Sequence, residues 1–358
     1  SYHLQDITFE EILGQFSSAY PDSTAAPIGQ GNINDTFLVT ASAGKFVLQR
    51  ISAAVFPDPH SIIKNFCIIA EHLERKTVLI APGWQFARPV YTDRGELFFR
   101  DEHGDFWRGQ TYLPHNQTTM IADSRQACEL GRALGIFHLL MSDLDVRDLR
   151  DPLPGFHVLS SYLEEFDLAE KKNFSTGPEL DYCYGIIDDY RGRAAFLKKA
   201  REEGVLTEQP VHGDPKIDNF VFNEAGYGVG LIDMDTVGPG LIHSDIGDCL
   251  RSACNRSGES VKRIQDIRFD IELCRAILEG YFQKGEKLLS NLQRSLIFDI
   301  LLLITFELGL RFFTDHLRGN IYFKTESTGD NLLRALNQFR LMGEIEKHEQ
   351  EIRAAAER

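Results

Sequence analysis

The chain has few cysteines, six in 358 residues, and none forms a Cys-x-x-Cys pair, which argues against a disulfide framework or a zinc centre. They stand at 67, 128, 183, 249, 254 and 274, and all but Cys254 have aliphatic or aromatic neighbours that predict core positions. There is no run of lysine and arginine either. Acidic residues number 53 against 38 basic ones, a formal net charge of -15. Such a chain has no basic stripe to displace counterions from a nucleic-acid backbone or to hold an anionic membrane surface. Long apolar runs are missing too. The most apolar stretch, Leu296 to Phe306, is too short to span a bilayer and is broken by Asp299. No signal-peptide pattern opens the sequence. With 43% hydrophobic and 25% charged residues, the expectation is a soluble cytoplasmic enzyme long enough for two domains, without nucleic-acid or membrane partners.

Residues 37–51 hold two apolar runs separated by the small-residue turn Ala41-Ser42-Ala43-Gly44, the pattern of a β-hairpin. An amphipathic helix follows, with Ile62, Ile63, Phe66, Ile69, Ala70 and Leu73 at helical spacing. Short strands are predicted near Gln85–Tyr91, Leu97–Phe99 and Trp107–Tyr112. Beyond residue 120 helical stripes dominate, at 127–141, 158–166, 180–202, 267–283, 290–313 and 329–353. Between Val211 and Asp235 the stripes give way to a hairpin of short strands. The final stretch from Glu344 to Arg358 reads as polar nearly all round. The expected fold is therefore α+β and bilobal, of protein-kinase type. A small antiparallel β-sheet N-lobe with one helix would take residues 1–111 and a mostly helical C-lobe 112–358. Such a plan says little about chemistry by itself.

The chemistry is concentrated in Val211-His212-Gly213-Asp214-Pro215-Lys216-Ile217-Asp218-Asn219, with Leu231-Ile232-Asp233-Met234-Asp235 after the hairpin. Phosphoryl transfer needs a carboxylate to take the proton of the attacking hydroxyl, and Asp214 on a tight turn suits that role. It also needs hard oxygen ligands for Mg²⁺ on the phosphates of ATP, for which Asn219 and Asp233 have the chemistry. Lys216 is placed to meet the charge that shifts during transfer. Any one of these residues could merely close a turn; their joint spacing points to a small-molecule kinase. Upstream, Gly29 and Gly31 in Gly29-Gln30-Gly31-Asn32-Ile33-Asn34 would let backbone N–H groups approach a phosphate.

The His-Gly-Asp segment with Asn219 and Ile232-Asp233 resembles the catalytic loop and metal-binding strand of the aminoglycoside phosphotransferase, choline kinase and homoserine kinase superfamily. Gly31–Thr36, Phe56-Pro57-Asp58, Ile232–Thr236, Asp245–Asp248, Gly309–Phe312 and Gly319–Phe323 are similar, in order, to segments of the bacterial N-acetylhexosamine 1-kinases. That resemblance implies a bilobal kinase using ATP and Mg²⁺ on a small acceptor, a sugar. It further implies sugar contacts from Asn32, Asn34, Arg311 and Tyr322. Those kinases tend to carry His where this chain has Asn32, which implies an altered sugar preference.

Gln49 stands where kinases place a strand lysine. It can hydrogen-bond a phosphate without the charge, and strand alternation sends Arg50 to the opposite face. Glu71, the candidate helix glutamate, then lacks a lysine partner. Tyr112, in Gln110-Thr111-Tyr112-Leu113-Pro114, belongs to the segment expected to meet the adenine. In the superfamily the aspartate at Asp245 braces the catalytic loop, whereas Asp248 reads as a helix cap and Asp235 as a second metal contact or a structural residue. His138 is expected to be buried beneath the loop; His157 is left open. Glu307 and Arg311 at i,i+4 could form a helix-surface ion pair, the alternative to a sugar contact. Two functions rival a hexosamine kinase: a kinase of choline, homoserine or an aminoglycoside, and a nucleotide-binding pseudokinase suggested by Gln49.

Overall fold

The computed structural model describes residues 9–28, 34–114, 118–259 and 261–358. Its first part is an antiparallel sheet built from β1 (Thr24–Pro27), β2 (Asp35–Ala41), β3 (Gly44–Ile51), β4 (Pro89–Val90), β5 (Phe99–Arg100) and β6 (Phe106–Thr111). The path across it runs β1-β2-β3-β6-β4, with β5 also on β6. Strand alternation divides the sheet into two faces. Phe37, Val39, Phe46, Leu48 and Trp107 pack against Ile12 of the short α1 (Phe9–Gly14) and Phe16 in the turn after it. The register sets Thr36 opposite Gln49 and Gln49 opposite Arg108, so these three polar residues cross the other face in one row.

That second face meets α2 (Pro59–Ile80). Asp58 caps the helix by accepting the Ser61 amide, and Pro59 fills the first position, where a missing N–H costs nothing. All six apolar positions expected of this helix are buried. Arg50 leaves on the α1 side, as alternation required, where it pairs with Asp35 and lies over the Trp107 ring.

The remainder is mostly helical. It holds α3 (Ser124–Met141), α4 (Leu159–Lys172), α5 (Pro178–Tyr190), α6 (Ala194–Glu202), α7 (Ile242–Ala253), α8 (Ile271–Gly285), α9 (Asn291–Ser295), α10 (Ile297–Leu317), α11 (Asp330–Lys347) and α12 (Glu349–Glu357). Two small strand pairs interrupt them: β8 (Phe220–Phe222) with β9 (Gly228–Leu231), and β7 (Gln209–Val211) with β10 (Gly238–Gly240). The α3–α8 crossing is a backbone contact. A Cβ on Gly131 would lie 1.9 Å from the Ile277 carbonyl oxygen, and one on Gly280 the same distance from that of Cys128. Only glycine permits so close an approach, and it brings His138 of α3 and Tyr281 of α8 together beneath the catalytic loop.

Three expectations are corrected. Cys254 is fully buried, whereas Cys67 and Cys128 are partly exposed; all six thiols are free. The C-terminal stretch is two helices, and α12 buries Ile352 and Ala356. The strand expected over Gln85–Tyr91 shortens to β4, with Gln85 bridging instead to Gly230. Among the described residues no helix is long and apolar enough to cross a membrane.

Candidate active site

β7 ends at Val211 and delivers His212-Gly213-Asp214 into the space under the sheet. Gly213 sits at φ +89, and a Cβ there would come within 2.6 Å of the Thr236 carbonyl oxygen, so this turn requires glycine. His212 is held on both ring nitrogens. Nδ1 accepts from the Asp214 amide (3.2 Å), which leaves Nε2 to donate to the Ile232 carbonyl (2.9 Å). Asp245 of α7 lies beneath the turn and accepts from the amides of His212 (2.7 Å) and Gly213 (2.9 Å). His138 Nε2 stands 2.7 Å from the same carboxylate, with Nδ1 2.9 Å from the Tyr281 hydroxyl. Burial would raise the Asp245 pKa, but His138 and the loop amides together hold it below the usual carboxylate value. Bracing by Asp245 and burial of His138 are thus both as expected.

The four residues singled out for phosphoryl transfer meet at this loop. Lys216 Nζ lies 3.5 Å from Asp214 Oδ1. Asn219 donates from Nδ2 to the Asp214 carbonyl (2.8 Å) and accepts from the Ile232 amide at its own (2.8 Å), which ties the loop to the strand bearing Asp233. Burial pushes the Asp214 carboxyl up, against the pull of Lys216. Asp233 adopts the left-handed region at φ +60, unusual for a residue with a Cβ. Its side chain is solvent-exposed, yet protein atoms and the carboxylates of Asp235 and Asp214 surround it. Desolvation there, with Asp235 and Asp214 close by, pushes its pKa up to about 7.

The roof of the cleft departs from expectation. The Gln49 amide is engaged within the protein, donating to Thr36 Oγ1 (3.1 Å) and accepting from Arg108 Nη2 (2.7 Å) and Gln110 Nε2 (2.9 Å). Asn34 is likewise occupied: Nδ2 donates to Asp235 (2.9 Å) and Oδ1 accepts from the Ser52 amide (2.9 Å). Both amides thus have partners within the protein, Gln49 across the sheet and Asn34 through Asp235 and the Ser52 amide. Asp235 is no surface group: it is buried and takes a 2.6 Å hydrogen bond from Arg108 Nη2. Arg108 is the residue that the sequence reading missed, although the parity of Arg108 and Gln110 about Trp107 held the signal. Glu71 is exposed, near Cys67. Tyr112 follows directly on β6 and is half-buried. Gly29, Gly31 and Asn32 lie outside the described residues.

A cavity of about 360 Å³ opens between α4, α10 and the 319–323 loop, and Arg311 and Tyr322 both line it. Asp315 folds that loop by accepting the amides of Ile321, Tyr322 and Phe323 at 2.9–3.0 Å. The Arg311 guanidinium is ringed by Phe156, Tyr162, Tyr322 and Phe323 at 5.0–5.7 Å from the ring centres. The alternative, a pair between Arg311 and Glu307, is not found. Glu307 instead meets His157 Nδ1 at 2.5 Å, from a backbone at φ +58. Burial opposes the charge on His157, but Glu307 outweighs it and raises the pKa. Asp248 is no cap either: it lies within α7 and pairs with Arg251 (2.8 Å), whose other end holds Glu259 (2.8 Å).

The sequence profile of the phosphotransferase enzyme family matches residues 24–281. The chain belongs to that family. Solved structures repeat the bilobal α+β fold at low identity. An aminoglycoside phosphotransferase from Alicyclobacillus acidocaldarius is 14% identical at a TM-score of 0.63, covering 96% of this chain and 93% of that one. An amicoumacin kinase, in complex with AMP-PNP, Ca²⁺ and Ami, is 17% identical at a TM-score of 0.61, with 95% and 94% covered. Choline kinase from Cryptosporidium parvum is 15% identical at 0.60, with 95% and 96% covered.

A phosphotransferase needs its metal mainly on the nucleotide, and the donor set here fits that use. Among the described residues no group of three or more His, Cys, Asp or Glu could hold a metal unaided. Asp233 and Asn219 offer one carboxylate and one amide oxygen, neither taken by a described donor, which suits a hard cation that keeps phosphates and waters as its other ligands.

Proposed function

We propose that this phosphotransferase moves the γ-phosphoryl group of ATP to a hydroxyl of a small neutral acceptor, with the anomeric hydroxyl of an N-acetylhexosamine as the leading candidate. The observation that carries the reading is the convergence of Asp214, Lys216, Asn219 and Asp233 on one braced loop. Asp214 orients the acceptor hydroxyl and receives its proton; the new O–P bond forms as the bond from the γ-phosphorus to the leaving ADP oxygen breaks. Lys216, fixed beside Asp214, meets the charge that develops on the transferred group. Mg²⁺ held by Asp233 and Asn219 would neutralise the phosphates and align them. Asp245, through the His212 and Gly213 amides, keeps Asp214 in place without touching substrate.

The neutral acceptor is supported by how the surrounding charges are paired. Asp248 and Glu259 face Arg251, and Glu307 faces His157, so no carboxylate of this group stands open to an ammonium ion. Arg311 has no carboxylate partner among the described residues. It offers a planar fork of donors to sugar hydroxyls or an acetamido carbonyl, between aromatic walls that suit a pyranose face.

The test is ADP release with Mg²⁺ and ATP against GlcNAc, GalNAc, glucose, galactose, choline, homoserine and kanamycin. Turnover on an N-acetylhexosamine, lost in Asp214→Ala with nucleotide binding retained, is expected. Turnover only on a cationic acceptor would refute the role given to Arg311. An Asp214→Ala enzyme that kept more than about a few per cent of its rate would refute the base.

A further inference from the structure

We infer that Arg108 is the phosphate-binding cation of the cleft's roof, taking from a neighbouring strand the position that the absent β3 lysine leaves open. This inference rests on the nucleotide reading of the site. Arg108 stands opposite Gln49 in the β3–β6 register, on the sheet face turned to the catalytic loop. Its guanidinium spans the gap between the two lobes. Nη2 donates to Asp235 (2.6 Å) and to Gln49 (2.7 Å), Nε makes a longer bond to Gln49 (3.3 Å), and the Phe66 ring packs 5.0 Å away.

The side chain is 3% exposed, yet Nη1 has no hydrogen-bond partner among the described residues. A buried guanidinium donor left without a partner is costly, and such groups in functional clefts are completed by a ligand. The ligand chemistry follows from the surroundings. Arg108 is bonded to Asp235, two residues along the chain from Asp233, the residue that fits a metal carried by a nucleotide. A phosphate oxygen of that nucleotide is the anion that would complete Nη1, and the fork geometry of arginine suits it. Asp235 then does for Arg108 what a helix glutamate does for a strand lysine: it fixes the cation's direction. Asn34, donating to the same carboxylate, holds Asp235 in turn. Glu71 drops out because the cation it would have anchored has moved one strand over.

The experiment compares ATP, ADP and adenosine binding by calorimetry in the full chain. Arg108→Gln alone would leave Asp235 buried without its partner, so R108Q/D235N, which neutralises both, is the primary variant, with its melting temperature as the fold control. The second variant, Q49K/R108Q, returns a cation to the same face from β3 with Asp235 still present to anchor it. The expected result is a loss of about 10- to 100-fold in affinity for ATP and ADP in R108Q/D235N, the range for one charged hydrogen-bonded contact. Adenosine affinity stays unchanged, and Q49K/R108Q recovers part of the ATP loss. Equal ATP affinity in wild type and R108Q/D235N overturns the inference, as does an equal loss for adenosine, which would mean a purely structural pair. A wild-type protein that bound neither ATP nor ADP would remove the nucleotide reading together with the inference.

Discussion

Asp245 is where the architecture of the site can be tested without touching a reacting group. Its carboxylate is 1% exposed and receives three hydrogen bonds, from the amides of His212 and Gly213 and from His138. Asp245→Asn keeps the volume but can keep only one acceptor oxygen. If that oxygen stays where His212 and His138 converge, the new NH₂ faces the Gly213 N–H, donor against donor. A charge-assisted hydrogen bond contributes about 1.5–3 kcal/mol, and a buried donor left unpaired costs about 1–3 kcal/mol. The loss is therefore about 3–5 kcal/mol, the range found when one partner of a buried ion pair is removed. In a chain of this length that lowers the melting temperature by about 4–7 °C. The second effect is catalytic. Gly213 relaxes away from the NH₂ and carries Asp214 with it, and a displacement of about 1 Å costs about 100-fold in rate. Scanning fluorimetry and the ADP-release assay read the two effects separately. A variant melting within about 2 °C of wild type and turning over within about threefold would show that the loop holds itself, and the bracing argument would fail.

Other outcomes follow from the same geometry. Because the folded pKa of Asp233 is raised to about 7, the metal-free protein keeps a proton there from about pH 4 upward that the unfolded chain has already released, so its stability falls as pH rises through that window. Divalent-metal affinity measured by calorimetry with ADP present should climb about tenfold per unit up to about pH 7 and then level; a flat profile between pH 5.5 and 7 would contradict the raised pKa of Asp233. For His157 the sign comes from a base whose folded pKa is raised: its pair with Glu307 stabilises fully below about pH 6.5 and fades as pH rises past that folded value. Glu307→Gln should flatten that part of the melting-temperature profile, and an unchanged profile would rule the pair out as its source. Gly131→Ala must push α3 off α8 and is expected to cost about 3 kcal/mol. Gly185→Ala, with nothing within 4 Å of its new Cβ in mid-α5, should instead stabilise by about 0.5–1 kcal/mol; equal melting temperatures for the two would refute the close crossing.

What could be read from the sequence follows the distance over which each part is determined. Asp214, Lys216, Asn219 and Asp233 fall within 20 consecutive residues, and the chemistry they share restricts their spacing tightly enough to be read directly. The α2 stripe was legible for a similar reason, since one helix carries its whole buried face. The roof was not, because its residues are defined by partners far along the chain: Gln49 by Arg108, 59 positions on, and Arg108 by Asp235, 127 positions further. Reading Gln49 alone gave an amide free for a phosphate; only the register showed it occupied.

The same reasoning separates Arg311 from Glu307. The i,i+4 rule predicts a pair for an isolated helix, but α10 is buried on nearly all sides, so its polar residues answer to whatever packs against them. His157, 150 residues away and in a left-handed backbone conformation, claims Glu307 and leaves Arg311 to the aromatic cavity. The strands β7 and β10 escaped notice for a local reason: Gln-Pro-Val and Gly-Pro-Gly carry no alternation, and proline is admitted only because each pair has two strands and free outer edges. Yet this unpromising pair sets the floor of the site, since β7 ends at Val211 and β10 leads into α7, which places Asp245 directly under the turn that holds Asp214.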